Sequence, residues 1–87
     1  MRKRTDDLAD LIKVATDALA VALGDGDTNH PAGSWMDETT GNQFNHLAGH
    51  FKAIQTGAEG LNAKEDHLAH LICRAVMARA IHLKSRV

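Results

Sequence analysis

Residues 62–83 read NAKEDHLAHLICRAVMARAIHL. After a polar head, Leu68, Leu71, Ile72, Ala75, Val76, Ala80, Ile81 and Leu83 recur at three- and four-residue spacing. This is the longest apolar-periodic run in the chain, and it predicts a helix over about 63–84. Its first two turns carry Glu65, Asp66, His67 and His70. Ionisable groups at the head of an apolar helix are costly to bury unless they are paired or bind a metal. The head of this helix is therefore the place to look for chemistry. Asn62 suits an N-cap, and Glu65 three residues later completes a capping box with it. Glu65 thus has a structural role and a ligand role open to it. Leu68, Leu71, Ile72, Ala75, Val76 and Leu83 cover about half the circumference at about 100° per residue. Cys73 and Met77 lie on the far side, across a narrow stripe of His67, His70 and Arg74. A helix apolar on two sides has too few neighbours in an 87-residue chain. A homo-dimer or higher homo-oligomer that completes a helical bundle would supply them.

Upstream, Gly57-Ala58-Glu59-Gly60 breaks a second periodic stretch over about 38–56. Phe44, Leu47, Ala48, Phe51 and Ile54 form its apolar stripe, and His46 and His50 stack beside that stripe, near Gln43. The short connection predicts an antiparallel hairpin of helices two and three. Its mouth would gather His50, and less closely His46, with Asp66, His67 and His70, and would place Glu59 in the turn. Bundles commonly build metal sites from inward-projecting carboxylates and imidazoles. This donor set suits a divalent Zn, Mn, Fe, Co or Ni ion; Mg would ordinarily use fewer histidines. Arg74, one turn beyond His70, could meet a phosphate as a fork. The bland alternative leaves His46 and His50 solvated and His67 and His70 hydrogen-bonded at the core edge.

The first helix is expected over about 5–23, with Thr5 as N-cap, Asp6 and Asp7 in the first turn, and Gly24 as the stop. Leu8, Leu11, Ile12, Ala15, Ala18, Leu19 and Ala22 form one stripe, assigned to scaffold and subunit contact. Residues 24–36 read as a loop. Its Asp25-Gly26-Asp27-Thr28-Asn29 string opens like a calcium loop, but an EF-hand needs Gly and Glu where this chain has His30 and Met36. Trp35 closes the loop, either as a plug over the core or as a platform for a planar ligand. His30 and His82 fit no group and read as surface residues.

The bulk numbers fit one small all-α domain spanning 1–87. A net charge of −1 gives no electrostatic case for nucleic acid. One cysteine excludes an internal disulfide framework, and no stretch is long enough to span a membrane. A cytoplasmic protein is the default expectation.

The run from Trp35 through GHFKAIQTGAEGLNAKEDHLAHLICRAVM resembles small phage and bacterial proteins of a dATP/dGTP diphosphohydrolase-like family. The matching pieces are Trp35, His50, Gly57 to Glu59, Glu65 and His67-Leu68-Ala69-His70, covering about half the chain. Gly49, and Ala53 with Ile54, depart from the family's usual arginine before the first histidine and tryptophans after it. These departures remove a phosphate contact and a base-stacking surface. The resemblance implies a metal-dependent nucleotide pyrophosphohydrolase acting on a deoxynucleoside triphosphate, in the host cytoplasm if phage-encoded. In that reading Glu59 or Glu65 takes a proton from water, while His50, Asp66, His67, His70 and His46 hold the metal. Arg74 and Trp35 meet the substrate. Two other readings remain open: an oligomer that sequesters a nucleotide or other phosphorylated small molecule without cleaving it, and a helical structural or interaction module.

Overall fold

A computed structural model describes residues 1–26, 32–57 and 66–85. They form three α-helices and one short 3-10 turn, and no strand is found among them: α1 is Arg4–Gly26, η1 is Ser34–Asp37, α2 is Thr40–Thr56 and α3 is His67–Ser85. The fold is all-α, as expected. None of the helices is long and apolar enough to cross a membrane.

Local chemistry sets the helix ends. Lys3 precedes α1, and its N–H donates to Asp6 Oδ2 at 2.9 Å while its carbonyl accepts from Asp6 N. The cap therefore sits two residues before the expected Thr5. α1 also runs through Gly24 to Gly26, since each glycine costs a helix only about 1 kcal/mol. Thr39 caps α2: its Oγ1 accepts from Asn42 N at 3.0 Å. Gly57, in the left-handed region at φ 62°, closes α2 and donates its N–H to Ala53 O and Ile54 O. Asp66 caps α3, its Oδ1 accepting from Ala69 N at 2.9 Å and its carbonyl from His70 N at 3.0 Å. The expected cap at Asn62 and its partner Glu65 lie outside the described residues.

α3 is the central helix. It packs against α2, α1 and η1, whereas α1 and α2 do not approach each other. The hairpin is antiparallel: Gln43 on α2 meets Arg74 on α3, and seven residues on His50 meets His67, seven residues back.

The packing faces differ from those the stripes predict. Among the described residues the buried apolar ones are small: Ala18, Ala22, Ala69, Cys73 and Ala78. Leu8, Leu11 and Ile12 of α1, Phe44 and Phe51 of α2, and Leu68, Val76 and Leu83 of α3 are exposed. α3 turns its polar stripe toward α2 and leaves most of its apolar half outside. Side chains as small as alanine and cysteine at the buried positions leave room for closer helix packing than long aliphatic ones would. The cost is that the large apolar side chains have no cover within one chain.

Candidate functional site

The seam between α2 and α3 carries a polar cluster at each end, with half-buried Leu47 between them on the same face of α2. At one end, His50 Nδ1 lies 2.9 Å from His67 Nδ1. The His50 ring centroid is 5.2 Å from that of His67 and 5.0 Å from that of His70. All three rings are half-buried. An Nδ1–Nδ1 hydrogen bond at this distance has one nitrogen donating and the other accepting. Helical spacing explains the grouping. His67 and His70 are three residues apart on α3, and antiparallel packing puts the start of α3 beside the second half of α2.

At the other end, Arg74 Nη1 donates to Gln43 Oε1 at 2.9 Å and lies 3.5 Å from Glu38 Oε2. Gln43 is completely buried. Its Nε2 reaches the carbonyl of Trp35 at 3.5 Å. The Arg74 side chain is only 19% exposed and that of Glu38 30%. Glu38 leaves η1 in an extended conformation just before the Thr39 cap, and this places its carboxylate over the seam. Arg74 thus sits one turn beyond His70 on the same helix edge, aimed by an amide that has no contact with water.

The expected site residues divide as follows. His50, His67 and His70 come together. Asp66 stands at the head of α3, but its Oδ1 is engaged as the helix cap. His46 is exposed on α2. Arg74 lies in the seam, held by Gln43. Trp35 is half-buried in η1 and contributes its carbonyl to the Gln43 amide. Glu59 and Glu65 lie outside the described residues, as does His30. His82 is on the surface, as its sequence context predicts. Gln43 and Glu38 were not among the expected site residues. The available signal for Gln43 was its spacing: seven residues before His50, it shares that histidine's face across two turns.

Cys73 on α3 is buried, and burial pushes its thiol up, opposed by the positive charge of Arg74. A thiol held neutral in this way is a packing residue and not a nucleophile.

The donor chemistry can be compared with what a metal requires. Two nitrogens bound to one tetrahedral Zn lie about 3.3 Å apart. The His50–His67 separation of 2.9 Å is close to that, so a small opening of the pair would admit an ion. No group of three or more His, Cys, Asp or Glu among the described residues is arranged to hold a metal. The imidazoles of His50, His67 and His70 are the donors brought together, and a metal held there would need further donors from elsewhere.

A family model described as dATP/dGTP diphosphohydrolase, N-terminal, matches residues 3–86, nearly the whole chain. No curated protein and no solved structure matches it.

Proposed function

The chain belongs to the dATP/dGTP diphosphohydrolase family, matching its N-terminal model, and from that membership we propose that it is a metal-dependent deoxynucleoside triphosphate pyrophosphohydrolase working at the α2–α3 seam. The observation that carries the location is the gathering of three imidazoles and a half-buried arginine along one helix–helix contact. Half-buried imidazoles and a half-buried guanidinium are costly to desolvate unless they are paired or bind a ligand.

In this reading His50, His67 and His70 hold a divalent ion (Mn, Zn, Fe, Co or Mg), with Asp66 and His46 as the nearest further donors. The ion, when bound, supplies Lewis acidity at the phosphoryl oxygens. Glu59 or Glu65, from the connection between α2 and α3, takes the proton of the attacking water. The water oxygen bonds to the α-phosphorus, the bond to the bridging oxygen breaks, and pyrophosphate leaves from a deoxynucleoside monophosphate. Arg74 offsets charge on the phosphates. Gln43 fixes its guanidinium so that little rotamer freedom is lost on binding, which is the benefit of a preorganised cation. Trp35 flanks the arginine end, where a base would lie. The other partners proposed are further copies of the chain itself.

The test is product analysis of dATP and dGTP incubated with the protein and Mn, Zn or Mg. The expected outcome is monophosphate and pyrophosphate, with His67→Ala and His70→Ala each abolishing turnover while far-UV circular dichroism keeps its helical signal. Turnover persisting in both variants would remove the assignment of the site. Nucleotide binding without product on prolonged incubation would select a sequestering protein instead.

A further inference from the structure

The two partners of the Arg74 guanidinium are held very differently. Gln43 Oε1 accepts from Nη1 at 2.9 Å, a full-strength hydrogen bond, and the Gln43 side chain is completely buried. Glu38 Oε2 lies 3.5 Å from the same nitrogen, beyond the about 2.7–2.9 Å of a tight charge-assisted bond. Its carboxylate has no other contact among the described residues. The Glu38 backbone, by contrast, is fixed. Its N–H donates to Trp35 O at 3.2 Å, and the extended residue leads into the Thr39 cap of α2. A loosely held, 30% exposed side chain on a fixed backbone can turn to solvent without disturbing η1 or α2. Gln43 has no such freedom.

Both described contacts of Arg74 use Nη1, so among the described residues Nη2 and Nε, the rest of its donor fork, meet no acceptor. As a purely structural ion pair the long Glu38 contact would contribute little, because one partner is partly solvated. We propose that Glu38 is a replaceable anion. It balances Arg74 while the site is empty and gives way to a phosphate, which then meets the guanidinium that Gln43 holds in place. The inference rests on the reading of Arg74 as a phosphate contact and adds selectivity to it. A carboxylate brings one charge and two oxygens. A terminal phosphate brings about −1.5 to −2 at neutral pH and three acceptor oxygens. An anion no better than a carboxylate gains nothing by the exchange, whereas a polyphosphate displaces Glu38 and repels it outward. Glu38 therefore acts as a specificity determinant, not a catalytic residue: its charge lowers the affinity of Arg74 for every anion and so favours those of high charge.

Isothermal titration of the full chain with inorganic pyrophosphate, with chelator present and no divalent metal, tests it. The wild type is expected to bind, and Arg74→Ala to lose binding. Glu38→Gln keeps the shape and removes the charge, and is expected to bind about two- to fivefold more tightly, the scale of a partly exposed ion pair. Asp37→Asn removes the same charge from the exposed neighbouring residue and is expected to leave binding unchanged. If Glu38→Gln loses its helical circular dichroism, Glu38→Ala carries the same readout. Equal binding in the wild type and the Glu38 variant overturns the proposal, and weaker binding overturns it by making Glu38 a support for Arg74. Equal tightening by Asp37→Asn, or no pyrophosphate binding in any form, overturns it as well. The proposed hydrolysis fails separately: tighter binding in Glu38→Gln beside intact dATP and dGTP in the wild type keeps this inference and removes the enzyme.

Discussion

At the scale of single residues, Gln43 is the most constrained side chain described. It is the largest fully buried one, and it links α2 to both η1 and α3 through its carbonyl and amide. Nothing in its own neighbourhood of sequence marks it for burial, because its partner Arg74 is 31 residues away. Periodicity places a residue on a face but does not say which polar residue will find a partner across the fold. Gln43→Ala would leave the half-buried Arg74 guanidinium without its amide acceptor and open a void. The expected loss of stability is about 1–3 kcal/mol, read as a lower urea midpoint with unchanged slope. A midpoint equal to wild type would show that Arg74 does not depend on the amide. His50 and His67 contrast with Gln43 in being legible. Two histidine pairs on adjacent helices around a short turn could be predicted to meet, and His50 and His67 do so at 2.9 Å.

At the scale of elements, three helices and the antiparallel pairing of two were readable from apolar spacing and turn residues. Which face of each helix packs was not. A stripe of leucines and phenylalanines records that a face is to be buried, but not whether its cover is the same chain. The alanine and cysteine faces that do pack, Ala18 with Ala22 on α1 and Ala69 with Cys73 on α3, carry too little hydrophobicity to compete in such a reading. The start of α3 shows a second ambiguity. An aspartate before a helix can be a cap or a metal ligand, and Asp66 makes the cap bonds. Asp66→Ala is expected to cost about 1 kcal/mol of stability, whereas Asp66→Asn keeps an acceptor oxygen and costs at most a few tenths. Urea unfolding of the two variants checks this, and equal losses would contradict the cap assignment. If Asp66 also serves a metal, the Asn variant retains stability while binding the ion more weakly.

At the scale of the whole molecule, the chain is open and flat. Its radius of gyration is 14.4 Å, against about 12 Å for a compact domain of this length, and its extents are 43 × 37 × 22 Å. α3 carries the architecture: among the described elements it is the one that α1, α2 and η1 all touch, with its histidine and arginine edge toward α2 and Leu68, Val76 and Leu83 exposed. The proposed metal-assisted site rests on three half-buried imidazoles gathered where α2 meets α3. Elemental analysis of untagged protein, purified without chelator, addresses it most directly. Near-stoichiometric transition metal, lost from a His67→Ala/His70→Ala double variant, is the expected result. Protein that takes up no metal, even after reconstitution with Mn and Zn, would contradict it.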